Sequence, residues 1–412
     1  MTHSFGYGPR TRTLRASDES VSGVSQDRVV PPAPRALRLH RIDWRTLERN
    51  TVLVFGLVGV AICVLTLFLR IRTGTFGYDF RGSLWKAGKD ILEGRSPYPA
   101  ASASHLVHVG NAFVYPPLTA LVSLPLAILP QTAAAILWSL LNLAALIAAL
   151  WIVGLRDWRC YVLCLTSYPV LDNLFLGQLN GLLALAIALA WRFRHRAAAA
   201  GIAIGTAIAL KLLAWPLLIW LLFTRRFKAA AICLATTVSL LLGSWAVIGF
   251  RGLAGYPHLL AADAEGFQNR SHSIVALALR AGFSQSAGRL AALLAAFVLL
   301  AIVWRETKAG ATDDVFPFAA ALLAGIVASP VVQSHYWVIL FVPLAAAAPT
   351  VGWRWLLPLG FWISPVEDQM RAWQIAAMLA LVSLLVLSMR KRRPRTSSES
   401  GREAAISPLT AR

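Results

Sequence analysis

Charge is scarce in this chain. Only 14% of its 412 residues are charged, and acids are fewer than bases, 19 against 39. With 57% hydrophobic residues and a positive mean hydropathy, it carries more apolar surface than a soluble core of this length could bury. That composition excludes an ordinary soluble domain and indicates an all-α polytopic membrane protein. Cysteine is also sparse. Cys63, Cys160, Cys164 and Cys233 all lie in apolar segments, and the middle pair is one helical turn apart, so neither a disulfide nor a cysteine metal site is expected. Metal-ligand spacing, a nucleophile motif, a phosphate-cradling glycine loop and a visible internal repeat are all missing, so no cofactor and no metal is expected.

A net charge of +20 would by itself suit nucleic acid, but the bases gather in the two tails and in short runs such as RFRHR (192–196) and RRFK (225–228). Such placement serves membrane topology and anionic lipid, not nucleic acid. Residues 1–48 are polar, rich in Ser, Pro and Arg, and without the short apolar core of a cleavable signal, which predicts a disordered basic cytoplasmic tail. Residues 390–412 repeat the pattern at the other end. Both termini are therefore expected inside, with an even number of spans across the transmembrane domain, 49–389.

A span needs about 20 apolar residues, fewer inside a bundle. The apolar segments are 51–70, 114–129, 132–153, 159–172, 176–191, 198–224, 228–249, 287–304, 315–329, 335–349, 353–364 and 371–389. Twelve transmembrane helices are thus expected, although this count leaves RFRHR outside, against the positive-inside tendency; dividing 198–224 at Lys211 would change the count but make another segment re-entrant, so 155–212 is the least determined part. Two connections, 71–113 and 250–286, are too long for simple turns and fall on the outer side. Within the first, SLWKAGKDIL sets Leu84, Trp85, Ala87, Ile91 and Leu92 near one helical face, predicting an amphipathic helix along the surface.

Polar groups in such a background need reasons. Asp79 could cap the amphipathic helix or serve as a general base at the mouth of the bundle. Tyr115 could be an interfacial aromatic, and Gln178 and Asn180, in the amide cluster with Asp172 and Asn173, could simply bond between helices. Lys211 lies about 14 residues before RRFK, roughly 21 Å along a helix, too far to snorkel there. A bound phosphate, the outer headgroups, or an acid such as Asp172 would each satisfy it. His335 and Tyr336 stand at a helix boundary, and Asn269, Arg270 and His272 could contact a ligand or merely solvate the second loop.

One series of motifs goes further. Asp-Phe (79–80), Trp-Lys-Ala-Gly (85–88), Leu-Glu-Gly-Arg-Ser-Pro-Tyr (92–98), Phe-Val-Tyr-Pro-Pro-Leu (113–118), Gly-Gln-Leu-Asn (177–180), Lys-Leu-Leu-Ala-Trp-Pro (211–216) and Ser-His-Tyr (334–336) occur in order. Together they resemble glycosyltransferase family 87, bacterial membrane enzymes of the GT-C superfamily typified by polyprenol-phosphate-mannose-dependent mannosyltransferases. The resemblance implies a GT-C-like bundle of about twelve helices with two longer external loops. It also implies a plasma-membrane enzyme with its site facing outward, an inverting hexosyltransferase that moves a sugar, mannose by analogy, from a polyprenyl-phosphate donor to a lipid or glycan acceptor. On this likeness Asp79 is the catalytic acid of the first external loop. Lys211, with His335 or an arginine of the external loops, would neutralise the leaving phosphate, and Tyr115, Gln178 and Asn180 would bind donor sugar or phosphate. The acid is followed here by Phe-Arg-Gly-Ser-Leu-Trp, where the familiar mannosyltransferases have an aliphatic residue and then Val-Tyr. The rival readings are a polytopic transporter or lipid flippase, which would show inverted repeats and broken helices in both halves, and a non-catalytic scaffold.

Overall fold

The computed structural model describes residues 44–99, 112–309, 314–365 and 369–390. The expected tails 1–48 and 390–412 therefore lie almost wholly outside the described residues, as does part of the 71–113 loop. Every regular element among the described residues is helical.

In chain order these are α1 (Trp44–Arg72), a π-helix (Phe80–Trp85), α2 (Lys86–Leu92), α3 (Pro117–Ser123), α4 (Gln131–Ile152), α5 (Trp158–Leu165), α6 (Tyr168–Leu176), α7 (Asn180–Arg192), α8 (Ala197–Leu210), α9 (Pro216–Phe223) and α10 (Phe227–Val247). Then come α11 (Tyr256–Phe267), α12 (Ile274–Arg280), α13 (Gln285–Lys308), α14 (Val315–Ala328), α15 (Phe341–Ala347), α16 (Trp353–Leu356) and α17 (Ala372–Ser388). Short 3₁₀ turns fill several junctions, the longest being Ser334–Leu340 and Leu357–Ile363.

Among the described residues, four helices are long and apolar enough to cross a membrane: Asn50–Arg72 within α1, then α4, α10 and α13. Seven further apolar helices of 10–17 residues accompany them. Leu57, Val64 and Leu65 of α1 and Leu290, Leu293 and Phe297 of α13 are exposed, the arrangement expected where the surrounding solvent is lipid. At the centre α14 is buried on every side from Val315 to Val327, so no polar stripe is needed on it.

The expected run of unbroken spans is corrected in several places. Segment 198–224 is not one helix: it is interrupted at Lys211, whose extended backbone (φ −149°, ψ 116°) separates α8 from α9. Segment 159–172 is split at Ser167, with Pro169 opening α6, and 353–364 becomes one α turn followed by a 3₁₀ stretch containing Pro358. Proline in the first turn of α3, α6 and α9 has a common cause, since a helix start lacks acceptors for its first N–H groups anyway. Hydropathy reads composition across such breaks and cannot see them.

The surface helix expected at 84–92 is also shifted. Phe80, Ser83, Leu84, Ala87 and Gly88 are buried, whereas Leu92 is exposed. The chain is π-helical over Phe80–Trp85 and α-helical over Lys86–Leu92, so Leu84, Ala87 and Gly88 keep one inward face while Leu92, the last residue of α2, turns outward.

Close packing of α4 on α7 depends on Gly181. A Cβ there would stand 2.0 Å from the carbonyl oxygen of Asn142, and backbone on a neighbouring helix has little room to yield. Gly181→Ala is expected to destabilise the fold by about 1–3 kcal/mol, visible as a lower thermal midpoint in detergent; an unchanged midpoint would refute the close approach.

Candidate active site

Three interruptions of the helical framework converge on one cleft. They are the Gly177–Leu179 link between α6 and α7, Lys211 between α8 and α9, and residues 329–333 between α14 and the Ser334–Leu340 turn. Non-helical backbone in a membrane protein needs protein or a polar cavity for its free N–H and C=O groups, and these segments find both. Lys211 N–H still reaches Ala207 O at 3.0 Å, while the Thr119 hydroxyl donates to Leu210 O at 2.7 Å. Gly177 takes φ +73°, a left-handed cap that ends α6, and a Cβ there would meet Phe80 at 2.7 Å. Its carbonyl accepts from the Trp138 indole at 2.8 Å, and Phe80 stacks on that indole, centroids 5.3 Å apart. The start of the first long loop and the 177–179 link are thereby pinned together, and Gly77 N–H donates to Phe175 O at 2.8 Å across the same seam.

This seam sets Asp79. Its backbone is helical and its side chain makes no capping hydrogen bond, so the capping reading does not describe it. The carboxylate instead accepts from the Gln178 amide, whose Oε1 accepts from the Tyr115 hydroxyl at 2.7 Å. Burial pushes the Asp79 carboxyl up to about 7, against the opposing pull of the Gln178 hydrogen bond.

Tyr115 is a cleft residue, half-buried, rather than a member of an interfacial belt. Its backbone is held by aromatics from both long loops: the Tyr98 hydroxyl donates to Tyr115 O at 2.9 Å, and the Tyr256 hydroxyl donates to Val114 O at 3.0 Å. Tyr98 in turn stacks on Trp245 at 5.1 Å and meets Tyr256 edge-on at 5.4 Å. The Ser-Pro-Tyr motif thus supports the Val-Tyr-Pro-Pro motif mechanically.

Lys211 is buried, with 6% exposure, so it does not reach out to headgroups. Its ammonium donates to Asn180 Oδ1 at 3.2 Å and lies 3.6 Å from the centre of the Tyr336 ring. Asn180 Nδ2 donates to Asn173 Oδ1 at 3.0 Å, fixing the amide that receives the lysine. Asp172, a possible partner for Lys211 from sequence, pairs with His335 instead, Nδ1 to Oδ2 at 3.1 Å.

The cleft has two arms. One, about 150 Å³, is lined by Asp79, Gln178, Arg270, Gln333 and His335 among others. The other, about 260 Å³, is lined by Lys211 with Pro116, Leu212, Trp215, Leu260 and Pro330. Tyr115, Tyr336 and Asp263 belong to both, forming the neck between a polar arm and a largely apolar one. Of the polar residues singled out from sequence, Asp79, Tyr115, Gln178, Lys211, Arg270, His335 and Tyr336 line this cleft, and Asn180 stands directly behind Lys211. His272 does not join them: it is fully buried, with Nε2 against the Ser364 hydroxyl at 3.0 Å.

Asp263 was not singled out from sequence. Its signal was nonetheless present, because it follows the buried Leu259 by four residues and so puts a carboxylate on the apolar stripe of α11. The second long loop is fastened beside it, with Val332 N–H donating to Ser271 Oγ at 2.9 Å and the Gln333 amide to Arg270 O at 2.9 Å.

Gln178 is the joint of this arrangement, since its amide serves Asp79 and Tyr115 at once. Gln178→Leu is expected to lower whatever turnover Asp79 supports by about tenfold while leaving the thermal midpoint within a few degrees, for one hydrogen-bonded tie is lost. Unchanged turnover would mean that the tie does not position the carboxylate.

Residues 113–334 match the model of glycosyltransferase family 87. That stretch includes Tyr115, Gln178, Asn180, Lys211 and Asp263, while Asp79 and His335 lie outside it. Over 302 residues the chain is 28% identical to a polyprenol-phosphate-mannose-dependent alpha-(1-2)-phosphatidylinositol pentamannoside mannosyltransferase of Mycolicibacterium smegmatis, covering 66% of this chain and 72% of that protein. No solved structure matches the chain.

Proposed function

Because the chain belongs to glycosyltransferase family 87, we propose that it is a GT-C-type inverting hexosyltransferase that uses a polyprenyl-phosphate sugar, mannose by analogy with the mycobacterial relative, and a lipid or glycan acceptor. The observation that carries this reading is the division of the cleft, with Lys211 in an apolar arm, Asp79 in a polar arm, and a common neck between them. A lipid-linked donor has that same polarity. Its isoprenoid chain suits the apolar arm, its phosphate the Lys211 ammonium, and its sugar the neck.

The chemistry follows from the order of groups. Asp79 takes the proton of the acceptor hydroxyl as that oxygen forms its bond to the anomeric carbon. The bond from that carbon to the phosphate oxygen breaks, and the electron pair leaves with the lipid phosphate, whose growing charge Lys211 neutralises. His335, held by Asp172, stands in the polar arm to hydrogen-bond the phosphate or sugar. One displacement inverts the anomeric centre. Both chain ends inside a bacterial plasma membrane and the cleft on the outer side complete the proposal, as the basic runs of the tails suggest.

The test supplies membranes containing the chain with radiolabelled polyprenyl-phosphate-mannose and follows label into extractable lipid. Transfer with inverted configuration is the expected result. Absence of transfer from mannose and from every other lipid-phosphate sugar would sink this reading in favour of a transporter, for which broken helices are equally suited.

A further inference from the structure

Asp263 is the one carboxylate, among the described residues, that lines both arms of the cleft. It makes no hydrogen bond or ion pair with any described side chain, unlike Asp79 on Gln178 and Asp172 on His335. Burial alone accounts for its raised carboxyl, pushed up to about 6, so the protein supplies no partner to offset the desolvation. Uncompensated polar groups facing a cavity are how binding sites declare what they hold.

Its neighbours define what would complete it. The neck is formed with Tyr115 and Tyr336, whose rings flank the Lys211 ammonium at 5.7 and 3.6 Å. On the reading above, phosphate lies on the Lys211 side and the attacking hydroxyl on the Asp79 side. The group between them is the sugar, which presents hydroxyl donors and an apolar ring face. A carboxylate is acceptor-only when ionised and so is matched to hydroxyl donors. Tyr115 and Tyr336 line the neck beside that position.

We propose that Asp263 is a sugar-reading residue, accepting a hydrogen bond from a ring hydroxyl of the donor hexose at the neck and so setting which hexose is transferred. The inference rests on the proposed function and adds to it the atom that selects the sugar. A site built to bond a hydroxyl discriminates strongly against a sugar that lacks it, because the buried acceptor is then left unpaired.

The experiment is a cycle between protein and substrate. Purified full-length chain, wild type and Asp263→Ala, is given polyprenyl-phosphate-mannose and a set of donors each lacking one sugar hydroxyl, with total membrane lipid as acceptor. One deoxy donor is expected to cost the wild type about ten- to hundredfold in kcat/KM, Asp263→Ala to cost a similar factor with mannose, and the two changes together to cost no more than either alone. Asp263→Leu, close in shape and without an acceptor, serves in the same cycle should the alanine variant not fold. Losses that multiply for every deoxy donor would overturn the inference alone, since Asp263 would then act independently of any hydroxyl. A wild type inactive with all lipid-phosphate sugars would overturn the proposed function and this inference with it.

Discussion

Asp79→Asn is expected to lower sugar transfer by about 10²–10⁴-fold, the range for loss of a positioned general base, with no change in thermal midpoint. Asparagine keeps the shape of the side chain and can still meet the Gln178 amide, so the loss would isolate proton removal from architecture. The pH profile gives a second reading of the same group. The base must be ionised to act, and burial holds its carboxyl near 7 instead of the usual carboxylate range. Activity of the wild type is therefore expected to be full above about pH 7 and to fall roughly tenfold per pH unit below it, while the residual activity of Asp79→Asn lacks this limb. Wild-type rates that stay level down to pH 5, or an asparagine variant that retains transfer, would remove Asp79 from the mechanism and direct attention to Asp263, the other carboxylate of the cleft.

What the sequence made legible was of two kinds. Apolar segments long enough to matter could be found by hydropathy, and the motifs around 79, 113, 177, 211 and 334 could be found by their order. Those motifs are 250 or so residues apart at their extremes, yet their side chains line or support one cleft. The reason is visible at Gly177 and Lys211, where the motifs coincide with interruptions of helices. A motif in such a place is a backbone irregularity together with the side chain it turns inward.

Less of the local geometry could be read. Lys211 looked like a charge buried within a span because an 18- or 20-residue average cannot register one extended residue between two helices. Leu92 was grouped with Leu84 and Ala87, but it is the last residue of α2, one step beyond the face that buries Ala87 and Gly88, and it is exposed. Asp263 escaped notice for a different reason. It sits on α11 within the second long connection, where charge is ordinary, and only the burial of Leu259 and Ala264 on either side of it marks its face as internal. Asp172 and His335 are 163 residues apart, so their pairing depended on α6 packing against the Ser334–Leu340 turn, which no local pattern announces. The interrupted helices also show why architecture alone could not separate an enzyme from a transporter. Membership of the family weighs for the enzyme, and the three-part cleft gives that membership a physical form.

Lys211→Met is the second large effect. Methionine approximates the length and apolar bulk of the lysine stem, so packing against Tyr336 is largely kept while the ammonium is lost. The leaving group gains negative charge as its bond to the sugar breaks, and removing one preorganised donor to such a charge costs about 10²–10³ in kcat. If Lys211 serves the leaving phosphate, kcat should fall by that factor with a smaller change in donor KM, because the interaction strengthens as charge develops. Donors with a more acidic phosphate, which leave with less help, should recover part of the loss in the variant and gain little in the wild type. A pure rise in KM would instead assign Lys211 to holding the donor uniformly in ground and transition states. Unchanged kinetics would mean that its bonds to Asn180 and the Tyr336 ring are its whole purpose, in which case Lys211→Met should show its effect in thermal stability and nowhere else.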